Sequence, residues 1–538
     1  MNRYLLKNQH LLAALPYLSI LVWLVPLLAF NHHQQSLIAH DEGIYAWRAR
    51  WIVESGDWLN PAIIHYGKTP GVYWLIASSY SLFGINETTA RLPSAIASII
   101  SALLLYEIGK IIINQKIAIL AAAILSLEFY WLQYSRMSVP DIPLASLVLL
   151  SIWCLLKAEL HPKYRLFWGL GVGLSFGLGF LLRSYMIFLP MLALMPYLVW
   201  EQRRHRHLTN PALYLGFLVG LVPTIYWLVS SWLSYNKLIF TEMFDFITHL
   251  NSEERNGNGI LYYFWNIPAK AFPWAFFGLL GLGIALRNPI PRYQLILVAF
   301  PILLFAQISL FSTRIPHYAL SLYPFIALLA AIALDWLGKT YQKRLPRNLS
   351  YLVGGLSCLL IVAGLLIAIG VAIPGVELNA QMQKYAAIAL ALGLGWLIVP
   401  LVWIGRHQLG KQFLTANYWL AGWLIGPWLA LAVAGLTGLL GDYNPQVKAF
   451  LQQPEIAAVV QNYPINFVEV GGKTGVLLRF YTPHLGREVE HISDLPKASY
   501  AWVMSDLVEE RSRYQSIGKL KDVQLVQVLQ SDSSQIQK

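Results

Sequence analysis

The chain has 538 residues, of which 57% are hydrophobic and only 12% are charged, whereas about 25% of residues are charged in a typical soluble domain. This composition excludes an ordinary soluble enzyme and predicts an α-helical polytopic membrane protein. The formal net charge of +12 does not imply nucleic acid as a partner, because in a membrane protein the distribution of Lys and Arg among the loops matters more than their sum.

Apolar runs long enough to cross a bilayer recur along the whole chain, since a helix needs about 20 such residues to span the hydrocarbon core. The first run lacks a small-residue cleavage site and is predicted to be a retained helix. With the N-terminus in the cytoplasm, the short inner loops hold 18 basic residues and the longer outer loops 11, as the positive-inside rule requires. The 13 predicted spans are 13–30, 90–110, 116–134, 141–158, 166–182, 185–200, 211–233, 269–286, 294–311, 316–337, 350–374, 386–404 and 417–440.

Loop length accumulates on the predicted outer side, where 31–89 and 234–268 are long, polar and aromatic. After Gly441, the β-branched or aromatic runs "INFVEVGG", "GVLLRFYT" and "SYAWVMSD" alternate with the helix-like "PQVKAFLQQ" and "DLVEERSRYQS". We therefore predict a transmembrane catalytic domain, 1–440, that carries both outer loops. A small extracytoplasmic α/β domain is predicted over 441–538.

Two adjacent acids, Asp41 and Glu42, follow the first predicted span. A solvated acid pair is the simplest interpretation, because exposed carboxylates are common. The amphipathic "VYWLIASSYSLF", which is too short to span, indicates instead a loop that lies on the membrane surface and holds the acids at headgroup depth.

The segment "HDEGIYAWRARWIVESGDWLNPAIIHYGKTPGVYWLIASSYSLFGINETTARLPSA" resembles the N-terminal region of the family 39 membrane glycosyltransferases. The resemblance continues through "SRMSVPDIPLAS", "LLRSYMIFLP", "LYYFWNIPAKAFPW" and "FSTRIPHYALSLYPFIALLAA". These glycosyltransferases are the bacterial aminoarabinose-transferase-like and protein O-mannosyltransferase-like enzymes, and the resemblance implies a GT-C fold of about 13 transmembrane helices. It also implies transfer of a sugar from a polyprenyl-phosphate carrier to an acceptor on the outer side of the plasma membrane.

The resemblance assigns the catalytic acids. Asp41 is implied to be the general base that takes the proton of the acceptor hydroxyl, with inversion at the anomeric carbon. Glu42 is implied either to position the acceptor or to hold Asp41. Asp141 is implied to face Asp41 across the cavity, although it is also explained as a helix-start acid favoured by the helix dipole.

Cations are expected to hold the donor phosphate, because charge-assisted hydrogen bonds stabilise a leaving phosphate. Each candidate is also explained as an interfacial anchor whose charged end reaches water. Arg183 stands out, because it lies between two apolar runs with no nearby charge in sequence and needs a partner in that setting. The candidates are Lys68, Arg91, Arg136, Arg183 and Arg314.

Other cavity candidates are His249, His317 and Tyr318. His249 resembles a histidine that some relatives use with an acid to hold a divalent metal ion. This chain has Gly67 where those relatives carry the acid, and the motif that follows reads "KTP". A divalent metal ion is therefore left open as a cofactor, with His65 or Glu42 as substitutes for the missing acid.

A membrane transporter or flippase for a lipid-linked or anionic substrate is the alternative function, because buried charge also marks transporters. Charges in this sequence gather in loops and at helix ends, and matched broken helices are not evident, which favours the enzyme. The expected partners are a polyprenyl-phosphate sugar donor, membrane lipids and an acceptor lipid, glycan or protein. The expected location is the bacterial inner membrane, with the active site on the outer side.

Overall fold

The computed structural model of the chain describes residues 2–31, 35–60, 68–235, 239–252, 257–371, 379–505 and 514–529. For 2–12 and part of 239–252 it describes the backbone alone. The contacts between Cα atoms divide the chain into two compact units. The membrane unit comprises Met1–His32, Leu59–Leu75 and Arg91–Leu440, and the α/β unit comprises His33–Trp58, Ile76–Ala90 and Gly441–Lys538.

The chain is mainly helical. The helices of the first half are α1 (Asn2–Ala29), α2 (Ile44–Ser55), α3 (Gly71–Phe83), α4 (Glu87–Ile112), α5 (Gln115–Leu127), α6 (Phe129–Ser135), α7 (Asp141–Leu160), α8 (Arg165–Arg183), α9 (Phe188–Trp200), α10 (Gln202–His205), α11 (Pro211–Tyr235) and α12 (Ile239–Ser252). Those of the second half are α13 (Tyr262–Lys270), α14 (Trp274–Arg287), α15 (Phe300–Leu310), α16 (Tyr323–Lys339), α17 (Arg344–Ala368), α18 (Ala380–Trp396), α19 (Ile398–His407), α20 (Ala416–Leu436), α21 (Pro445–Leu451), α22 (Pro454–Val460) and α23 (Gly472–Tyr481).

Each predicted apolar run coincides with a helix or a bent helix pair, which confirms a polytopic helical membrane protein. The count of 13 spans is not confirmed. By length and composition, eight helical stretches among the described residues can cross a membrane, or up to ten if each bent pair is one span. The bent pairs are α5 with α6, at 70°, and α13 with α14, at 112°. The count of apolar runs is higher for three reasons: these pairs are bent, the apolar stretches Ala13–Ala29 and Leu295–Leu310 have fewer than 18 residues, and two predicted runs form the single stretch Pro162–Trp200.

Small residues allow close helix packing in the membrane unit between α8 and α11. A Cβ atom on Gly173 would lie 1.9 Å from the backbone oxygen of Leu213, and one on Gly216 would lie 2.2 Å from that of Leu170. This is the small-residue interface by which membrane helices bring their backbones together. The packing holds α8 firmly, and the C-terminal end of α8 carries Arg183.

The α/β unit contains a five-stranded sheet of β1 (Ile465–Val468), β2 (Leu485–Val489), β3 (Tyr500–Met504), β4 (Tyr514–Leu520) and β5 (Val523–Val528). The strand order is β2-β1-β3-β5-β4, with β2, β1 and β3 parallel and β5 antiparallel to its neighbours. All four residues of β1 are buried, as expected for a central parallel strand covered on both faces. Alternate residues of β3 lie on opposite faces of the sheet. Ala501 and Val503 belong to one core cluster, whereas Trp502 packs against Phe450.

The prediction of a strand at "GVLLRFYT" is wrong, because this run forms most of α23. Its buried residues Thr474, Leu477 and Leu478 follow the three- and four-residue spacing of a helix face. The predicted helix at "PQVKAFLQQ" is confirmed by α21. Most of the predicted helix "DLVEERSRYQS" lies outside the described residues, and its last three residues begin β4.

Candidate functional site

An ion pair joins the ends of two neighbouring helices in the membrane unit. Asp141 begins α7 and Arg183 ends α8, and an Arg183 guanidinium nitrogen contacts a carboxylate oxygen of Asp141. The two helices pack together and are joined by a short turn at Pro162–Tyr164, so the start of one meets the end of the other. The helix dipole favours a negative charge at the start of a helix, as at Asp141, and a positive charge at its end, as at Arg183.

The "KTPG" stretch packs onto the same end of α8. The Thr69 hydroxyl donates to the backbone oxygen of Phe180 over 3.1 Å and accepts from the Ser184 backbone N–H over 3.2 Å. A Cβ on Gly71 would lie 2.5 Å from the Leu181 oxygen, so only glycine permits this approach. These contacts hold Lys68 where its ammonium interacts electrostatically with Asp141.

Aromatic and imidazole side chains complete the polar part of this cluster. The Arg183 guanidinium lies 5.6 Å from the centre of the Tyr318 ring, within the range of a cation–π contact. Nδ1 of the neighbouring His317 lies 3.3 Å from the hydroxyl of Tyr134 in α6. The structure therefore brings together Lys68 and Arg183 with Asp141, His317 and Tyr318.

A small cavity opens beside the ion pair. One part of its wall is polar and another is aliphatic. Its polar lining is Asp141, Arg183, His317, Tyr318 and Ser321, and its apolar lining is Leu144, Met186, Leu189, Pro190, Leu304, Ile308 and Leu320.

Two other predicted cations are bound to backbone carbonyls. One Arg136 Nη atom donates to the oxygens of Leu27 and Leu28, over 2.5 and 3.1 Å, and the other donates to that of Phe30 over 2.5 Å. These are the carbonyls that a helix end leaves unsatisfied, so Arg136 caps α1.

Arg314 is buried and bound in a similar way. Its Nε donates to the Ser309 oxygen at 2.9 Å, and an Nη donates to the Asn258 oxygen at 2.8 Å. It thereby ties the chain around Asn258 to the end of α15. Arg91 is fully buried in α4.

The two acids of the first loop belong to the α/β unit and differ sharply in exposure. Both lie in a π-helical turn, Ala39–Gly43, where Asp41 is exposed and Glu42 is fully buried. Oε2 of Glu42 accepts a hydrogen bond from the Ile38 backbone N–H over 3.1 Å. The buried carboxylate closes the turn that presents Asp41, which favours a holding role for Glu42 over contact with an acceptor.

Tyr80 packs beside this turn. Burial, and then the neighbouring Glu42 carboxylate, raises the pKa of Tyr80 well above its ordinary value. Its hydroxyl therefore stays protonated, and it donates to the Ala46 oxygen over 3.3 Å. This bond fixes the start of α2, directly after the acid pair.

The metal prediction has no support in the described part of the chain, where no group of three or more His, Cys, Asp or Glu side chains is placed to hold a metal ion. The side chain of His249, and His65 with Gly67, lie outside the described residues. The metal site predicted around them stays a prediction.

Sequence reasoning missed several residues of this region. Thr69, Ser321 and Tyr134 were not singled out, because none carries a charge or a periodic signal. The expectation that charges avoid the interior of spans fails at Glu128, which lies fully buried at the break between α5 and α6. Its carboxylate has no hydrogen-bond partner among the described residues, and nothing in the structure explains it.

Comparison with known proteins gives relatives over most of the chain. Residues 67–229 match the family described as dolichyl-phosphate-mannose-protein mannosyltransferase. An undecaprenyl phosphate-alpha-4-amino-4-deoxy-L-arabinose arabinosyl transferase of Pseudomonas fluorescens is 26% identical, covering 88% of this chain and 80% of the relative. Its counterpart in Pectobacterium atrosepticum is 26% identical, with coverage of 81% and 77%. An uncharacterized protein of Aquifex aeolicus is 25% identical over 62% of this chain, and only 66% of that relative is spanned.

Solved structures show the same fold. ArnT from Cupriavidus metallidurans bound to undecaprenyl phosphate superimposes with a TM-score of 0.73 at 19% identity, covering 98% of this chain and 99% of that one. Its apo state gives a TM-score of 0.70 at 20% identity. The predicted fold class, a polytopic helical membrane protein with a small C-terminal α/β part, is confirmed.

Proposed function

Because this chain is a membrane glycosyltransferase of the GT-C fold, like those of family 39, we propose that its donor is a sugar linked to a polyprenyl phosphate. The observation that carries this proposal is the cluster of Lys68, Arg183 and Asp141 beside a cavity with an aliphatic wall. The carrier is undecaprenyl phosphate, the lipid for which the arabinosyl transferase relatives are named. The reaction takes place at the outer face of the bacterial inner membrane.

The net charge of the cluster supports a phosphate-linked donor. Two cations and one carboxylate leave the cluster with one net positive charge, which matches the single negative charge of a phosphodiester. Arg183 exchanges its contact with Asp141 for a phosphate oxygen, and Lys68 supplies a second positive charge. When the sugar leaves, the phosphate gains further negative charge, and fixed cations stabilise that change more than they stabilise the bound donor.

Arg136 and Arg314 have no part in phosphate binding in this proposal. Their guanidinium groups are held by the backbone carbonyls at the ends of α1 and α15. A phosphate would have to break those bonds and leave buried carbonyls unsatisfied, which costs about 1–3 kcal/mol for each group.

Asp41 is proposed as the general base. A hydroxyl acceptor is a weak nucleophile, and an exposed carboxylate can take its proton as the new bond to the anomeric carbon forms. The bond from that carbon to the phosphate oxygen breaks, and the phosphate leaves with the electron pair. Direct displacement inverts the anomeric centre. For a phosphate acceptor, which is already ionised, the base has less to contribute.

The acceptor is a hydroxyl or phosphate of an envelope lipid, glycan or protein. It is identified, together with the sugar, by mass spectrometry of lipid, glycan and protein extracts from cells with and without the gene. Without the gene, the sugar-linked undecaprenyl phosphate accumulates and one glycosylated product disappears. If the protein were a transporter, membranes from cells without the gene would still form every glycosylated product when the donor is added at their outer face.

Replacing the proposed base tests the mechanism. Asp41→Asn removes the proton acceptor, so transfer to a hydroxyl falls by about 10²- to 10⁴-fold, measured with purified protein in lipid and an undecaprenyl-phosphate-linked donor. Asp494→Asn makes the same change at another exposed acid of the α/β unit and leaves the rate unchanged. Full activity in Asp41→Asn would exclude Asp41 as the base.

A further inference from the structure

The turn that carries Asp41 is held on both sides by the C-terminal part of the α/β unit. Before the turn, the Ser36 hydroxyl donates to Oδ1 of Asp442 over 2.5 Å and accepts from the Asn444 backbone N–H over 2.7 Å. The Asn444 side-chain amide donates to the Leu37 oxygen over 2.8 Å. Ser36 and Leu37 are fully buried, so these bonds are shielded from water.

The Tyr481 hydroxyl, at the end of α23, reaches the same stretch. It accepts a hydrogen bond from the Leu37 backbone N–H over 2.9 Å. The next backbone N–H along the chain, that of Ile38, is taken by Glu42, and the Ile38 oxygen accepts from the Gly43 N–H over 2.7 Å. Tyr481 therefore fixes the chain one residue before the ring of bonds that shapes the turn.

Arg50 fixes the chain after the turn. Its two Nη atoms donate to the oxygens of Phe480 and Pro483, over 2.7 and 2.6 Å, and its Nε contacts Glu54 over 2.6 Å. The side chain is 5% exposed, and the guanidinium fork matches two carbonyls and a carboxylate at once, which an ammonium cannot. Directly at the turn, a Cβ on Gly43 would lie 3.1 Å from Val476 of α23.

We propose that the C-terminal α/β part is the scaffold that sets the position of Asp41, with Arg50 and Tyr481 as its positioning residues. Within residues 35–52, only His40 and Asp41, at the tip of the turn, are exposed. The inference rests on the proposed role of Asp41 as the base. It gives the C-terminal part a task in catalysis, which is to fix the position of Asp41.

The sharpest test is Tyr481→Phe, which removes one hydroxyl and leaves the ring in place. Tyr514→Phe is the matched control, because the Tyr514 hydroxyl also accepts a hydrogen bond inside this unit, from Gln524, but away from residues 35–55. A displacement of about 1 Å costs up to 100-fold in rate. We expect kcat of Tyr481→Phe to fall by ~10- to 100-fold, with an unchanged KM for the donor and an unchanged thermal midpoint. Tyr514→Phe is expected to keep kcat.

A spectroscopic measurement separates positioning from a general loss of stability. A nitroxide attached to His40→Cys, with the exposed Cys358 replaced by Ser, reports the mobility of the turn. The label is expected to move more freely in Tyr481→Phe and Arg50→Lys than in the parent or in Tyr514→Phe. Arg50→Lys keeps the charge and is expected to lose activity nonetheless, because it loses the fork.

The outcomes separate this inference from the proposed function. If Asp41→Asn is inactive while Tyr481→Phe and Arg50→Lys match Tyr514→Phe in kcat and label mobility, the scaffold inference is wrong and the base assignment stands. If Asp41→Asn is fully active, the base assignment fails, and the positioning role fails with it. If kcat falls equally in Tyr481→Phe and Tyr514→Phe, the effect is general destabilisation and the inference is overturned.

Discussion

Arginine side chains have different roles in this molecule, and their partners distinguish those roles. The Arg136 guanidinium is held by backbone carbonyls that cannot move without unwinding α1. The Arg183 guanidinium is held by one carboxylate and rests on an aromatic ring, at the edge of a cavity. An anionic ligand can replace a carboxylate partner, whereas it cannot replace a helix end. Sequence alone gives all these residues the same charge and similar apolar flanks.

The pair of Asp141 and Arg183 is expected to behave as a coupled unit in stability. Arg183→Gln removes the ion-pair partner of the buried Asp141 carboxylate. Breaking a buried pair costs about 3–5 kcal/mol, and the cost is lower here because Arg183 keeps 16% of its side chain exposed and Lys68 still interacts with the carboxylate. The double variant Asp141→Asn/Arg183→Gln removes both charges and is expected to recover part of the loss. The measurement is the thermal midpoint of the four proteins in one detergent.

Glu488→Gln is the control for that cycle. It breaks an ion pair whose carboxylate side chain is 65% exposed, so its effect is expected to stay below about 1 kcal/mol. Additive losses for Asp141→Asn and Arg183→Gln would mean that the two side chains do not stabilise each other.

At the scale of elements, the candidate site depends on how close α8 comes to its neighbours. Its C-terminal end meets the start of α7 and the stretch of Thr69 and Gly71. Its glycine-bearing side meets α11 without intervening side chains. The sequence "GLGVGLSFGLG" carries this signal as glycines four residues apart, a spacing that predicts close helix contact in membranes.

Gly173→Ala is expected to destabilise the protein. Its methyl group would lie 1.9 Å from the Leu213 oxygen, so the helices must separate, and overpacking of this kind costs about 1–3 kcal/mol. Gly355→Ala is the matched control, since Gly355 also lies within a helix but a Cβ there meets nothing within 4 Å. If the midpoint of thermal unfolding were the same in Gly173→Ala and Gly355→Ala, the close packing of α8 against α11 would be contradicted.

On the scale of the whole molecule, each compact unit is built from separate stretches of the chain. The α/β unit takes His33–Trp58 and Ile76–Ala90 from before most membrane helices and Gly441–Lys538 from after them. Leu37, Ala46 and Ile52 of the first stretch are buried, and the unit to which they belong is completed by residues after Leu440.

A chain ended after Leu440 is therefore expected to lose order around the acid pair. Arg50 would lose its carbonyl partners at Phe480 and Pro483, so trypsin is expected to cut after Arg50 in the shortened chain and to spare it in the full chain. Cleavage after the exposed Lys163 is the internal control and should occur equally in both. Equal protection of Arg50 in the two chains would show that the early stretch is ordered without the C-terminal part.

The sequence by itself determined the class of protein. Apolar runs of span length and few charges follow from the cost of placing polar groups in hydrocarbon, and that cost acts residue by residue. The bias of basic residues among the loops indicated the orientation of the chain. The resemblance of ordered motifs added the glycosyltransferase and its residues. The strand at "GVLLRFYT" was misjudged because short apolar runs suit a strand or a helix equally until their neighbours decide.

Only the tertiary structure decided which charges meet. Lys68, Asp141 and Arg183 are far apart in sequence. They come together because the start of α7, the end of α8 and the turn anchored by Thr69 lie next to one another. It also decided that Arg136 and Arg314 bind carbonyls, and that residues 35–55 pack with the C-terminal sheet domain. Hydrogen bonds and ion pairs are short and directional, so they depend on where distant segments lie, and no local pattern in a chain records that.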